Sequence, residues 1–301
     1  MAMFYEESSN DYGGYGQVPT PTSRREELLS GYEIYRPCIF ESLKQFKKVC
    51  KTSSAALDCE ISSADGKQYV AFENVTSKNF EDIQKLREAS NKTLPAMRIL
   101  YDRVSEILIV KIIPGSGVFH YVSTGLFISR FTRKYPIDSL VGVGATRFEG
   151  RDRAKEGDSG YKPITRTSGD AWPSLMVEVG VAGSLNQLRN DARFWLTNSG
   201  GDTRVVILIS INRVAKEVRF ERWEDVPRVQ PRGPSTPLYN PGMVQSITLE
   251  HNVQYAGPAL QIPAVKVYDQ GGVPPNLGAN DFEFTAQDLD SFRTSYWLAL
   301  Q

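Results

Sequence analysis

The chain has few of the residues that build cysteine- or histidine-rich sites, with three cysteines and two histidines among 301 residues. Cys38, Cys50 and Cys59 are odd in number and lack metal-binding spacing. They therefore indicate reduced thiols of an intracellular protein, cytoplasmic or nuclear. With only His120 and His251 available, a histidine-rich zinc site is not expected.

An excess of one charge and long apolar runs are also missing. Lys plus Arg and Asp plus Glu number 35 each, so no global basic field indicates non-specific nucleic-acid binding, although a local basic groove is compatible with this balance. The chain has no run of 18 apolar residues, so no membrane span is predicted. The N-terminus lacks the apolar region of a signal peptide. The composition does not indicate an oligomeric state.

What is present is enough apolar material for a large core, since 41% of the residues are hydrophobic. That content is compatible with one elaborated domain or two small ones. Residues 1–30 are rich in glycine, proline and serine and predict a disordered tail. Residues 31–96 predict an N-terminal extension with helices over 36–51 and 79–90 and a strand over 68–75.

Residues 97–224 predict the body of an α/β fold. Its expected elements are a hairpin over 97–113, a helix over about 118–132, a strand over 139–148, a polar segment over 149–171, a helix over 184–198 between two inner strands, and a half-exposed edge strand over 217–224. Residues 225–301 predict a proline-rich arm, strands over 244–249 and 264–268, and a C-terminal helix from Thr285 that packs on the body.

The most informative residue is Glu178, which lies alone in the apolar run from Leu175 to Val179. A buried acid must be paired, hydrogen-bonded or bound to a metal. Asp158 is a second isolated acid, and two acids beside a sheet can hold Mg²⁺. Each has a simpler interpretation: Glu178 could face water on an edge strand, and Asp158 could serve a turn, since Asp-Ser-Gly favours turns.

The order of elements and three segments resemble the restriction-endonuclease-like, or PD-(D/E)XK, nuclease superfamily, and a fungal group within it most of all. The segments are Lys155–Ser159, Glu178–Gly180 and the helix phrase Gln187–Leu196. The resemblance covers roughly residues 97–224. It implies a mixed central sheet flanked by helices, with N- and C-terminal additions around this core. It also implies metal-dependent hydrolysis of phosphodiesters in nucleic acid.

Carried over by position, the resemblance makes Asp158 and Glu178 the metal ligands, for Mg²⁺ or Mn²⁺, with Glu156 as an added or substitute ligand. The family's lysine falls at Gly180, which cannot act in its place. Some members take that function from the following helix, where the candidates are Arg189 and Gln187. Both could equally be ordinary solvated helix residues.

Three functions therefore stay open for this sequence. The first is a Mg²⁺-dependent nuclease, with nucleic acid as its partner, that uses Asp158 and Glu178. The second is a nuclease-fold protein that has lost catalysis and binds a partner, which the absent lysine and the balanced charge favour. The third is an enzyme of another class that reuses the fold, because a fold does not fix a function.

Overall fold

A computed structural model describes residues 20–59, 67–89, 94–114, 139–181, 183–227, 239–270, 272–274 and 281–298, together with positions 125, 128, 129, 131 and 133. Apolar runs of alternating or continuous character form its strands, and amphipathic segments form its helices. The helices are α1 (Pro21–Gly31), α2 (Leu43–Cys59), α3 (Ser77–Glu88), α4 (Leu185–Asn198), α5 (Ala264–Val267) and α6 (Ala286–Leu298).

Most strands belong to two six-stranded sheets. The first sheet has the order β1-β2-β4-β3-β7-β6, and the second has the order β12-β11-β10-β9-β8-β5, while β13 pairs with β14. The strands are β1 (Cys38–Ile39), β2 (Tyr69–Glu73), β3 (Met97–Asp102), β4 (Ile107–Ile112), β5 (Leu140–Gly142), β6 (Arg147–Glu149), β7 (Arg153–Glu156), β8 (Ser159–Pro163), β9 (Leu175–Val181), β10 (Val205–Asn212), β11 (Glu217–Pro227), β12 (Tyr239–Glu250), β13 (Leu260–Ile262) and β14 (Phe282–Phe284).

The centre of the second sheet is the parallel pair β9 and β10, connected by α4. All other neighbouring strands of the second sheet pair antiparallel, so this sheet is mixed. Leu188 and Trp195 of α4 are fully buried in one cluster with Val206 and Leu208 of β10. The predicted strand–helix–strand unit is therefore confirmed.

The first sheet is built around the β3–β4 hairpin, which the sequence also predicted. β2, from the predicted N-terminal extension, pairs with β4. β12, from the predicted C-terminal arm, pairs with β11. Strands of the N-terminal extension and of the C-terminal arm therefore pair with strands of the body. Each pairing satisfies backbone groups that could not stay unpaired inside the molecule.

Helices cover the sheets as the resemblance implied. α1 buries Leu28 and Leu29 against the cluster that contains α4. α6 buries Leu289, Phe292 and Tyr296 in the other cluster, which confirms that the C-terminal helix packs on the body. The protein is thus mixed α/β, with a mixed central sheet flanked by helices. No helix within the described ranges is long and apolar enough to cross a membrane.

Several local predictions were wrong. Residues 21–31 form α1 rather than part of a disordered tail, whereas residues 1–19 lie outside the described part. The segment 217–224 is an inner strand and not an edge strand, because β12 pairs along the side that β10 does not occupy. Residues 264–267 form a short helix instead of a strand. The polar segment 149–171 contains β7 and β8.

The predicted strand over 139–148 is divided between the two sheets, since β5 pairs with β8 and β6 pairs with β7. Most of the predicted helix over 118–132 lies outside the described residues.

The link from β7 to β8 decides where the candidate site lies. β7 belongs to the first sheet and β8 to the second, so the chain passes from one sheet to the other at Gly157 and Asp158. A Cβ on Gly157 would overlap the end of the Met176 side chain and lie 3.0 Å from the Trp195 ring, so a side chain at this crossing would displace both neighbours. Side chains from both sheets and from α4 meet beside this crossing.

Candidate active site

Glu178 lies in the middle of β9, and the alternation of that strand sets its direction. Val177 and Val179 pack in the cluster on one face, while Met176 packs on the opposite face with α4. Glu178 points to the α4 face, where its Oε1 accepts a hydrogen bond of 2.7 Å from Nε1 of Trp195. The carboxylate is 0% exposed. The interpretation of Glu178 as a solvent-facing edge residue is therefore wrong.

Lys111 of β4 joins the two predicted acids. Its Nζ lies 2.6 Å from Oδ2 of Asp158 and 2.9 Å from Oε2 of Glu178, and its side chain is 2% exposed. Lys111 was not among the predicted site residues. A signal for it existed, because Lys111 stands alone in the apolar strand Ile107–Ile112, just as Glu178 does in β9.

Asp158 occupies the crossing between β7 and β8. Its Oδ2 accepts both the ammonium of Lys111 and the backbone N–H of Val179, the latter at 2.8 Å. Nε of Arg98, on β3, lies 3.6 Å from Oδ1 of Asp158. These contacts show a buried acid anchored to both sheets, so the turn interpretation does not describe its environment.

A third acid, Asp191 of α4, extends the group. Its Oδ1 accepts hydrogen bonds from the hydroxyl of Tyr32 at 2.5 Å and from Nζ of Lys155 at 2.7 Å. Its Oδ2 accepts the hydroxyl of Tyr69 at 2.9 Å. Nζ of Lys155 also lies 3.6 Å from Glu178. Asp191 was missed, although it falls on the buried face of α4 three residues after Leu188.

We call these five side chains the carboxylate cluster. It comprises Asp158, Glu178, Asp191, Lys111 and Lys155, and all five are buried. If every group is ionised, the three carboxylates of the cluster face its two ammoniums, and the guanidinium of Arg98, 3.6 Å from Asp158, supplies a third positive charge at its edge. The buried charges are thus close to balance, as burial in a protein requires.

The shifts in pKa indicate the protonation states of the groups in the cluster. Burial alone would lower the pKa of Lys111, but attraction to Asp158 and Glu178 raises it above the ordinary value. The pKa of Lys155 is raised in the same way, by Asp191 and Glu178. Burial raises the pKa of Glu178, and the two lysines oppose this rise without cancelling it. Both lysines are therefore ammoniums at neutral pH, and Glu178 takes up a proton more readily than an ordinary glutamate.

Gly180 shares the face of Glu178 on β9, as alternation requires. A Cβ at this position would clash with Oγ of Ser184 and would lie 2.8 Å from Cδ1 of Leu188. No lysine fits at position 180 unless α4 moves. The ammonium beside Glu178 comes instead from Lys111, on the other sheet.

Three predicted site residues lie outside the carboxylate cluster. Arg189 forms an ion pair of 2.6 Å with Glu221 of β11. Gln187 donates to Glu33 and to the carbonyl of Tyr32, at the end of α1. Glu156 receives two hydrogen bonds of 2.8 Å from Arg87 of α3. Each is paired with a residue outside the cluster.

The donor chemistry of the cluster suits a hard divalent cation. Mg²⁺ binds through one or two carboxylates and keeps several waters, and Asp158 and Glu178 both reach one common atom, Nζ of Lys111. Within the described ranges, no group of three His, Cys, Asp or Glu side chains is arranged to hold a metal. Carboxylate oxygens are the donors that Mg²⁺ and Mn²⁺ prefer, and in this structure the point that both carboxylates reach is filled by the ammonium of Lys111.

The chain was compared with known proteins at three levels. No protein-family model matches it, and no curated protein matches its sequence. Among solved structures, it is similar to a protein from Anabaena variabilis named a "putative nuclease belonging to DUF820". The two share 13% identity with a TM-score of 0.38, over 66% of this chain and 92% of that one. A similarity this low does not indicate a function, so the function must be argued from the geometry of the site.

Proposed function

We propose that the protein is a metal-dependent nuclease in which Asp158 and Glu178 hold Mg²⁺ or Mn²⁺ and Lys111 replaces the lysine that the family has at position 180. One observation carries this proposal. Two acids that are twenty positions apart, in different segments, converge on the ammonium of Lys111. Two carboxylates and one cation are the groups that phosphodiester hydrolysis at such a site requires.

The protein side chains have separable tasks in this proposal. A bound divalent ion would polarise the phosphate and lower the pKa of an attacking water. Lys111 keeps its proton, because its pKa is raised. It therefore acts as a fixed positive charge for the phosphate oxygens and not as a base. Lys155 is held by Asp191, and it positions Glu178 together with the indole N–H of Trp195.

The raised pKa of Glu178 makes metal binding depend on pH. Metal ligands must be deprotonated, so affinity should increase as the pH rises through the pKa of Glu178. Calorimetric titration of the protein with Mn²⁺ at several pH values measures this dependence. An affinity that does not vary with pH would contradict the assignment of Glu178 as a ligand.

The test of activity is cleavage of single-stranded DNA, duplex DNA and RNA with Mg²⁺ or Mn²⁺, with EDTA as the blank. Asp158→Asn and Glu178→Gln should abolish cleavage and metal binding. Lys111→Met should reduce the rate on the order of 100-fold or more, as loss of a charge aimed at the transition state does. Folding of each variant is checked by circular dichroism. Glu156→Gln is the matched control, because Glu156 is an acid bound to Arg87 outside the cluster.

A second candidate is a nuclease-fold protein without catalysis, in which the cluster only stabilises the core. It is favoured by the complete burial of Asp158 and Glu178, whose charges are already balanced in part by lysines. The two functions make opposite predictions. Absence of cleavage of all three substrates, together with absence of Mn²⁺ binding in calorimetry, would support the second and reject the first.

A further inference from the structure

A pocket of about 1050 Å³ lies beside the carboxylate cluster. Its wall is formed by the segment after α1, by α2, by β2 and by the start of α4. This volume is at the upper end of what small-ligand sites enclose. The sequence patterns gave no indication of it, because its residues come from four separate segments of the chain.

The pocket and the cluster share two tyrosines. Tyr32 and Tyr69 line the pocket, and their hydroxyls donate to the two oxygens of Asp191. Nζ of Lys111 lies 5.9 Å from the centre of the Tyr69 ring. Tyr69 therefore borders both the pocket and the proposed catalytic lysine.

The charges of the pocket favour an anion. Arg36 and Lys67 line it and are exposed, and neither has an ion-pair or hydrogen-bond partner in the part of the chain that the structure describes. Among the described residues of the wall, Glu33 is the one acid, and its carboxylate accepts hydrogen bonds from Asn186 and Gln187. Two cations and one acid give this described part of the wall a formal charge of +1, although the whole chain is neutral.

The pocket also presents a flat apolar surface. The side chain of Tyr35 lines it and is 85% exposed. Glu33, two residues earlier, has φ of 54°, in the left-handed region that a glycine would normally occupy at the end of a helix. Tyr35 follows this turn and lies outside the core, where an aromatic ring can stack on a ligand.

We propose that this pocket holds an unpaired nucleotide of a single-stranded nucleic acid, with the base on Tyr35 and phosphates at Arg36 and Lys67. This inference rests on the proposed nuclease function and names its substrate class. Single strands are bound by aromatic rings on which bases stack and by cations that follow the backbone. A duplex keeps its bases paired in its interior, so it cannot place one against Tyr35.

The test measures binding in EDTA, without turnover, by fluorescence anisotropy of a labelled ten-nucleotide oligothymidylate. The expected result is binding at least 10-fold tighter than to a labelled ten-base-pair duplex or to thymidine monophosphate. Tyr35→Ala should weaken binding about 5-fold or more, the effect of one stacked base. Tyr35→Phe keeps the ring and should bind like the wild type.

The phosphate contacts are tested by salt dependence. The double variant Arg36→Ala with Lys67→Ala should bind more weakly, and the slope of log K against log salt should become less negative by about 1.4, or about 0.7 for each phosphate contact on a single strand. The matched control is Lys78→Ala with Lys85→Ala, which removes two charges from α3, outside the pocket. Equal slopes for the two double variants would overturn the assignment of Arg36 and Lys67.

The outcomes separate this inference from the proposed function. Oligonucleotide binding that depends on Tyr35, without cleavage by any form of the protein, would reject the nuclease and keep the pocket as a single-strand site. Cleavage whose KM is unchanged in the Arg36 and Lys67 double variant would keep the nuclease and reject the pocket. Duplex binding as tight as oligothymidylate binding would also reject the pocket assignment.

Discussion

Removing the charge of Lys111 should destabilise the protein strongly, because the lysine is the common partner of two buried acids. Lys111→Met keeps the length and the apolar character of the side chain but leaves Asp158 and Glu178, both 0% exposed, without the ammonium between them. Breaking a buried ion pair by removing one partner costs about 3–5 kcal/mol. We expect a loss at the lower end of that range, since Glu178 can take up a proton in response.

The pH dependence of this loss follows from the sign of the pKa shift. The pKa of Glu178 is already raised in the folded protein, and without Lys111 it should rise further. A carboxyl with a raised folded pKa binds a proton in the folded state before it does so in the unfolded state, so acidification stabilises the fold through that group. The difference between Lys111→Met and the wild type should therefore shrink as the pH falls from 8 to 5.

The assay is urea unfolding followed by tryptophan fluorescence at pH 5, 6.5 and 8. Lys85→Met is the control, because Lys85 is 68% exposed and lies on α3. It should change the free energy of unfolding by no more than about 0.5 kcal/mol. The double variant Lys111→Met with Glu178→Gln should lose less than the sum of the two single losses. Additive losses, or a Lys111→Met loss within about 1 kcal/mol of the control, would show that Lys111 is not the stabilising partner of the two buried acids.

Three further predictions concern stability. Trp195→Phe removes the indole donor of the carboxylate cluster, at 2.7 Å, and should lower the free energy of unfolding by about 1.5–3 kcal/mol, the range for a hydrogen bond to a charged group. At Glu33, where φ is 54°, the Gly variant should be about 1 kcal/mol more stable than the Ala variant in urea unfolding, and equal stability would argue against backbone strain. Burial would raise the pKa of Asp102, but the backbone N–H of Ser105 and Arg153 lower it below the ordinary value. The stability from Asp102 is therefore present above about pH 4 and is lost as the pH falls below it, so Asp102→Asn should show a smaller fall in the urea midpoint between pH 4 and pH 2.5 than the wild type.

Some of the incorrect predictions have a common cause. The alternating residues 217–224 suited a half-exposed edge strand, but the sequence could not show that β12 would pair along them. Buried Glu221 is instead satisfied by Arg189 and by the indole N–H of Trp223. Residues 264–267 are too few for their hydrophobic periodicity to distinguish a strand from a helix. In these cases the answer depended on neighbours that are distant in the sequence.

The sequence alone determined the elements whose signals are local. The hairpin, the β9–α4–β10 unit and the packing of α6 follow from turn residues and hydrophobic periodicity. It also determined that Glu178 needs a partner, because an acid within an apolar strand cannot be buried alone.

Which residues would lie beside Glu178 depended on the tertiary fold. Lys111 contacts the two acids because the two sheets meet at Asp158, and Asp191 joins the cluster because α4 packs on this point. The pairing of strands depends on the burial of whole faces and not on adjacent residues. The lysine that Gly180 cannot provide therefore comes from a strand on the other sheet, nearly seventy residues earlier in the chain.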